Sequence, residues 1–216
     1  MPTYLDLERW PRRAAFEFYK DFDSPFFGVT VELDVTRLRA LCRERELSFN
    51  LATQFLAMRA SNAYEPFRMR LEEDGRVAIY EVVHPSSTHL VDGEKLLVVT
   101  HDYADDFGDY CDLVAEARER AKARTTYLDE ASMRPDTVHL STLPWVTFTN
   151  VTHARHLSGY RGSEPKVVLG RYHKVGDDLH IPVSVECHHA LMDGLHVSTW
   201  LGRLQGLFDE PAKHLG

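Results

Sequence analysis

The residues best suited to proton chemistry lie in the segment CHHALMDGLHV, residues 187–197. Two adjacent histidines, His188 and His189, end an alternating apolar run, and Asp193 follows four residues after the second. Imidazole exchanges a proton readily near neutral pH, and a nearby carboxylate can fix its geometry. The segment therefore indicates a general base at a strand end, although a histidine pair by itself more often has no catalytic duty.

Metal binding is a second use of the same residue types, since histidine and aspartate are both ligands. The spacing places no third ligand beside the pair, so the sequence predicts no metal site. Three cysteines, Cys42, Cys111 and Cys187, lack the spacing of a zinc site or redox pair and are too few for a full disulfide framework. A reduced, cytoplasmic setting is expected.

Length and charge limit the class of protein further. The 216 residues suffice for one domain, predicted to span 1–216, with a substantial core. The chain carries 25 Lys+Arg against 33 Asp+Glu, a formal net charge of −8, which argues against binding to nucleic-acid phosphates. The N-terminus lacks the apolar core of a signal peptide, and no apolar run is long enough to span a membrane, so a soluble protein without a membrane partner is expected.

Strands and helices are mixed in the pattern that must position these residues. The predicted strands are residues 26–33, 77–83, 95–101, 137–151, 166–173 and 178–187, with a polar turn region between the second and third and a GDD hairpin turn at 176–178. The predicted helices are 36–46 with Thr36 as its N-cap, one from Ser48, 106–124, and one after Asp193. Without regular βα alternation, the pattern predicts an α+β two-layer sandwich, a large mixed sheet with helices on one side.

The complete pattern HHxxxDG, residues 188–194, resembles the active-site signature of the chloramphenicol acetyltransferase family, and related motifs occur in 2-oxo acid dehydrogenase acyltransferase cores and in condensation domains. Further segments resemble that first family in the same order along the chain. They are RWPRRAAFEFY (9–19), VELDVTRL (31–38), FRMR (67–70), LSTLPWVTFT (140–149) and LGRY (169–172).

The resemblance implies direct transfer of an acyl group from acetyl-CoA or another acyl-CoA to an acceptor, without an acyl-enzyme. It implies His189 as general base and Ser141 as donor to the oxyanion, with His188 as a structural neighbour. It also implies a buried salt bridge from Asp193 to Arg12, and a homotrimer in which Ser141 and His189 of one site come from different subunits.

The resemblance also places the two substrate sites. The acceptor pocket falls on Phe18, Tyr19, Pro25, Phe27, Leu97, His139, His153 and Val168, and the coenzyme A contacts fall on Trp145, Arg171 and Tyr172. Several pocket positions depart from the family: Pro25 replaces a cysteine, Val168 a threonine and Leu97 a phenylalanine. His139 and His153 make this pocket more polar, so we expect a small polar hydroxyl or amine acceptor, such as an intermediate of secondary metabolism, rather than chloramphenicol.

Three alternatives remain open at this stage. The first is chloramphenicol O-acetylation, that is, antibiotic resistance. The second is condensation or cyclisation of a carrier-bound acyl chain, for which residues 118–124 (RERAKAR) form a weak candidate docking patch that reads better as a solvated helix face. The third is a non-catalytic scaffold, which the joint presence of His189, Ser141, Asp193 and Arg12 disfavours.

Overall fold

Ten strands and five α-helices form within residues 1–91, 93–128, 132–154 and 162–216, the part of the chain that the computed structural model describes. The strands are β1 (Thr3–Tyr4), β2 (Phe26–Asp34), β3 (Met69–Leu71), β4 (Val77–Ile79), β5 (His84–Leu90), β6 (Leu96–Thr100), β7 (Thr137–Thr142), β8 (Lys166–Leu169), β9 (His173–Val175) and β10 (Asp178–His188). The helices are α1 (Arg13–Tyr19), α2 (Thr36–Glu44), α3 (Phe49–Asn62), α4 (Phe107–Lys122) and α5 (Gly194–Asp209).

A large mixed sheet organises the fold. Its strands follow the order β2-β10-β8-β7-β5-β6, and β9 pairs with the outer part of β10. The pairs β5–β7 and β7–β8 are parallel and the other pairs are antiparallel. A small sheet of order β1-β4-β3 lies beside it. This architecture confirms the predicted α+β sandwich.

The core lies between the large sheet and its helices. Alternate residues of β10, among them Val183, Val185 and Cys187, are buried there because successive strand residues point to opposite faces. Helix α5 buries Trp200 and Leu204 against them. The Trp200 ring stacks on Phe67 with centroids 4.7 Å apart, and its indole N–H donates to the Ser61 hydroxyl at 3.1 Å. The remaining face of the sheet is thereby left to polar side chains.

Two helix ends differ from the predictions. Ser48 and Asp106 cap α3 and α4 through their side-chain oxygens. Thr36 is not an N-cap, since its hydroxyl accepts from the Leu179 N–H at 2.8 Å instead. Helix α2 ends at Glu44 rather than at residue 46, because Glu46 turns the chain with a φ of 55°.

The prediction of a polar turn region before β6 was wrong. Residues 84–90 form β5, which pairs with β6 on one side and β7 on the other. Its hydroxyl groups find partners inside the sheet, as where Thr100 donates to Ser86 at 3.1 Å. Buried serines bonded in this way can occupy an interior strand despite their low strand propensity.

Other strands are shorter than predicted, since β4, β7 and β8 end at Ile79, Thr142 and Leu169. The hairpin prediction is confirmed: β9 and β10 pair from Val175 and Asp178 inward, and Gly176 supplies the φ of 64° that the turn requires. None of the helices within the described residues has the length and apolar character that crossing a membrane requires.

Candidate active site

His189 lies just beyond the last residue of β10. The β10–β2 ladder ends where His188 pairs with Phe26, and the His189 N–H then donates to the carbonyl of Pro25 at 2.6 Å. The imidazole stacks on the Tyr19 ring with centroids 4.0 Å apart and an interplanar angle of 5°, and it also contacts Phe27 at 4.6 Å. Helix α1 and strand β2 together therefore fix the plane of this ring.

The two histidines of the pair have different surroundings. His188 is buried, packs edge-on against Phe26 at 5.0 Å, and accepts at Nδ1 from the Ala190 N–H at 3.3 Å. His189 is only half-buried, and its Nδ1 has no hydrogen-bond partner among the described residues. Within the described residues no carboxylate bonds to the His189 ring, and the stack on Tyr19 orients it instead.

Arg12 holds the turn that carries His189. Its Nη2 donates to the carbonyl of His189 at 3.1 Å, its Nη1 to the carbonyl of Ala190 at 3.2 Å, and its Nε to Oδ2 of Asp193 at 3.2 Å. A planar guanidinium suits this fork of acceptors, which an ammonium group could not serve equally. Arg12 therefore joins the segment before α1 to the backbone of the candidate base and of the residue that follows it.

Asp193 links that turn to α5. Its Oδ1 accepts from the Leu195 N–H at 3.0 Å and lies 2.8 Å from Nδ1 of His196. Burial alone would raise its pKa, but the hydrogen bond and charge of His196 and the charge of Arg12 outweigh burial and hold the pKa below its usual value. The expectation of a buried salt bridge needs correction, since the Asp193 side chain is 37% exposed.

Replacing Arg12 with alanine is expected to lower the free energy of unfolding by about 1–3 kcal/mol, because two carbonyls and a carboxylate lose their donor. The loss stays below that of a fully buried pair because water reaches Asp193. Urea unfolding at fixed protein concentration measures the change. The matched control is Arg13→Ala, whose exposed pairing with Glu8 predicts a change within about 0.5 kcal/mol. Equal losses in the two variants would contradict the role given to Arg12.

Ser141 is the penultimate residue of β7 and opens on a cavity of about 380 Å³. Its hydroxyl hydrogen-bonds to the hydroxyl of Thr88 in β5 at 3.0 Å. The cavity lining contains Ser141 together with all three residues predicted to contact coenzyme A, Trp145, Arg171 and Tyr172. Tyr172 packs edge-on against Phe49 at 5.4 Å and lies beneath the Arg39 guanidinium at 5.4 Å. The structure thus brings the predicted oxyanion donor and donor-substrate residues into one place.

Ser141 and His189 of the same chain lie far apart. The register pairs Ser141 with Val168 and Val168 with Ser184, so Ser141 is two strands away from β10. His189 lies five residues beyond Ser184. Strand spacing of about 4.8 Å and a rise of about 3.3 Å per residue give a separation of roughly 19 Å. One chain cannot bring both side chains to the same carbonyl group.

A polar row crosses the sheet between these two positions. Its members, neighbours in register on β7, β8 and β10, are His139, Lys166 and Glu186. This row is two residues along each strand from the row of Ser141, on the side nearer to His189. His153 Nδ1 lies 3.2 Å from Oε1 of Glu186. Burial, aided by the charges of Lys166, Arg70 and His153, lowers the pKa of His139 to about 4, so this imidazole is neutral at pH 7. The predicted pocket histidines therefore lie on the polar face of the sheet.

The other residues predicted to line the acceptor pocket do not lie together in the structure. Phe18 is 63% exposed, and its ring centroid lies 4.9 Å from that of Tyr19. Pro25 is buried. Val168 is also buried and pairs with Ser141 in the register of β7 and β8. Leu97 does not line the candidate pocket: it is 2% exposed and packs with Val99, Ala117 and Ala121 in a core beneath α4. Because a shift of one residue reverses the face of a strand, Leu96 lines the Ser141 cavity instead.

Sequence reasoning missed other lining residues. Thr88 and His89 belong to β5, which was taken for a turn, and Asn50 and Arg118 reach the same cavity from α3 and α4. A second cavity of about 950 Å³ shares Asn50, His89 and Arg118 with the first and adds two further cations. Residues 84–90 (HPSSTHL) show no alternation of apolar and polar residues, so the sequence offered no periodic signal for β5.

Comparison with solved structures defines the class of protein. A dihydrolipoamide acetyltransferase from Azotobacter vinelandii shares the fold with a TM-score of 0.64 and 20% identity over 93% of this chain and 88% of that one. A chloramphenicol acetyltransferase structure is more similar, with a TM-score of 0.82 and 25% identity over 96% of this chain and 100% of that one. The fold is therefore that of the acyltransferases.

Sequence comparison then gives the family. A sequence model described as chloramphenicol acetyltransferase matches residues 2–205. The chloramphenicol acetyltransferase of Streptomyces acrimycini is 33% identical over 212 residues, 98% of this chain and 96% of the relative. Chloramphenicol acetyltransferase 3 of Escherichia coli is 27% identical over 213 residues, 98% of this chain and 99% of the relative. The chain belongs to the chloramphenicol acetyltransferase family and is an acetyl-CoA-dependent acyltransferase.

Proposed function

We propose that the chain, as one domain over residues 1–216, transfers the acetyl group of acetyl-CoA to the hydroxyl or amine of a small polar acceptor. Two side chains carry this proposal. The His189 imidazole is held against the rings of Tyr19 and Phe27, and the Ser141 hydroxyl lines a large cavity. The three cysteines, Cys42, Cys111 and Cys187, form no disulfide with one another, which supports a cytoplasmic location.

In this proposal His189 takes the proton from the acceptor hydroxyl as its oxygen attacks the thioester carbonyl. The carbonyl oxygen becomes an oxyanion, to which the Ser141 hydroxyl donates a hydrogen bond. The tetrahedral adduct then collapses, breaks its C–S bond and releases coenzyme A, whose sulfur recovers the proton from His189. The charges balance without a metal ion and without an acyl-enzyme.

The Ser141 cavity is the proposed site of coenzyme A. Trp145 and Tyr172 offer aromatic surface, and Arg171 and Arg118 offer charge for the phosphates. The adjoining cavity of about 950 Å³ continues along α4, where Arg120 and Lys122 are paired with Glu116 and Glu119, so Arg118 and Arg171 are the cations proposed for the phosphates. These local cations meet the negative coenzyme in a chain whose net charge is −8.

The proposed active unit is a homotrimer whose sites lie between subunits. The separation of roughly 19 Å between Ser141 and His189, inferred from strand spacing, requires that each site combine two chains. Large apolar side chains are exposed beside each half: Phe18 and Leu195 near His189, and Trp145 at the Ser141 cavity. Exposed apolar surface of this kind is typical of a contact with another protein.

The acceptor is proposed to be more polar than chloramphenicol. The supporting observation is the polar row of His139, Lys166 and Glu186, with His153 beside Glu186, which crosses the sheet between Ser141 and His189 of one chain. Chloramphenicol is the second candidate acceptor. It is favoured by the named activity of the relatives and by the apolar rings of Tyr19 and Phe27.

An assay of thiol release from acetyl-CoA tests the acceptor directly. We expect kcat/KM for chloramphenicol to be at least about 100-fold below that of the best polar alcohol or amine in a panel, because one or two unsatisfied polar contacts cost that much. The variant His153→Leu is expected to reduce the difference in kcat/KM between chloramphenicol and the best polar acceptor, because it makes the pocket more apolar. Efficient wild-type turnover at micromolar chloramphenicol would show that the antibiotic is the acceptor and that the polar row does not exclude it.

A further inference from the structure

Five side chains that can bind metal ions share one face of three neighbouring strands. The register places Asp34 of β2, His180 of β10 and His173 of β9 in one row across the sheet. Glu32 lies two residues along β2 from Asp34, and Asp178 lies two residues along β10 from His180, so both project from the same face as that row. Two imidazoles and three carboxylates therefore converge on the hairpin end of the sheet.

The distances within this group are short. Asp34, Asp178 and His180 each offer one ligand atom, and these three atoms lie within 4.8 Å of one another. Oε1 of Glu32 is 3.2 Å from Nε2 of His173, and its Oε2 is 3.9 Å from Nδ1 of His180. His173 Nδ1 is buried and has no hydrogen-bond partner among the described residues.

The charge of the group also favours a cation. No lysine or arginine in the described part of the chain forms an ion pair with Glu32, Asp34 or Asp178. The Thr36 N–H donates to Oδ1 of Asp34 at 2.7 Å. The nearby Arg37 donates instead to the carbonyl of Asp209 at 3.2 Å. A bound cation would relieve the repulsion among the three carboxylates.

We propose that Asp34, Asp178 and His180 bind a divalent first-row transition-metal ion, with zinc as the best fit, supported by Glu32 and His173. Zinc takes imidazole nitrogen and carboxylate oxygen at about 2.0–2.2 Å. Magnesium and calcium prefer a set made of oxygen alone, and soft metals prefer thiolates, which this group lacks. Glu32 can orient His173 and His180 or enter the coordination sphere itself.

The ion would have a structural role. It would join the β9–β10 hairpin to β2, so that strands distant in sequence share one bound ion. His180 precedes His189 by nine residues on an extended strand, a separation of about 30 Å. The proposed ion thus lies far from the candidate base, and this inference does not depend on the proposed acyl transfer.

Calorimetric titration of the untagged, EDTA-treated full chain with zinc chloride tests the site. We expect one zinc ion per chain with a dissociation constant on the order of 10 µM or tighter, and a rise in Tm of about 4 °C or more at saturation. In Asp178→Asn and His180→Gln the affinity should fall by about 10–100-fold or more and the rise in Tm should disappear. Magnesium and calcium chloride at the same concentrations should give no comparable rise.

The matched control is Asp177→Asn, which removes the adjacent exposed carboxylate at the hairpin turn and should bind zinc as the wild type does. Circular dichroism of the zinc-free variants checks that each is folded, and Asp178→Asn should retain wild-type acetyl transfer. The proposal is overturned if no saturable binding occurs up to millimolar zinc. It is equally overturned if Asp178→Asn and His180→Gln bind as the wild type does, or if Asp177→Asn loses as much affinity as they do.

Discussion

Replacing His189 with glutamine is expected to lower kcat by about 10²–10⁴-fold, the usual contribution of a positioned general base. Glutamine can still lie between Tyr19 and Phe27, but its amide does not accept a proton at neutral pH. The KM for acetyl-CoA should change little, since the predicted coenzyme cavity is lined by other residues. Thiol release under steady-state conditions gives both constants.

The control for this substitution is His214→Gln, which changes a histidine near the C-terminus, outside both halves of the site. It should leave kcat within about twofold, since it touches neither substrate nor base. Unchanged acetyl transfer in His189→Gln would refute the assignment of the base. A loss larger than about 10⁴-fold would exceed simple proton transfer and would show that the imidazole also positions the acceptor.

The segment around the candidate base was predictable because its local signals agree. Alternation of apolar residues along β10, the N-cap at Asp193 and the buried spacing along α5 all point to a strand, a turn and a helix. The contact of Arg12 with Asp193 followed from family resemblance, since 181 residues separate them and no local pattern encodes such a contact. The aromatic stack on His189 was not predicted, although Tyr19 and Phe27 were both placed in the pocket.

The errors arose where tertiary pairing overrides local preference. Residues 84–90 read as a turn because proline and two serines lower strand propensity, but pairing on both sides satisfies the backbone of β5. Omission of this strand left Ser141 without its neighbour Thr88. The prediction of Leu97 as a pocket residue was displaced by one position along the strand. Because successive strand residues point to opposite faces, Leu97 faces the core while Leu96 lines the cavity.

The separation of Ser141 from His189 depends on register, which spacing along the chain does not reveal. The three strands β7, β8 and β10 had to be paired residue by residue before the two halves of the site could be located. Ser141 lies in β7 and His189 directly follows β10, so one sheet positions the candidate oxyanion donor and the candidate base. The proposal that the two side chains of one site come from different subunits follows from their separation along that sheet.

Ser141→Ala and His189→Gln chains that are each inactive are expected to restore activity when they assemble together. Alone, Ser141→Ala should lower kcat by about 10²–10³-fold through loss of one oxyanion donor.

In a random mixture of equal amounts, a site formed by His189 of one subunit and Ser141 of the next is intact with probability one half times one half. We therefore expect about a quarter of the wild-type kcat per site in the unfractionated mixture, and about a third in isolated mixed trimers, each of which has one intact site in three. Co-expression with distinguishable tags, followed by isolation of mixed oligomers, allows the measurement, and two differently tagged His189→Gln chains are the control. If mixed oligomers showed only the residual activity of the parents, both side chains would have to act within one chain, against the separation of roughly 19 Å that the strand register implies.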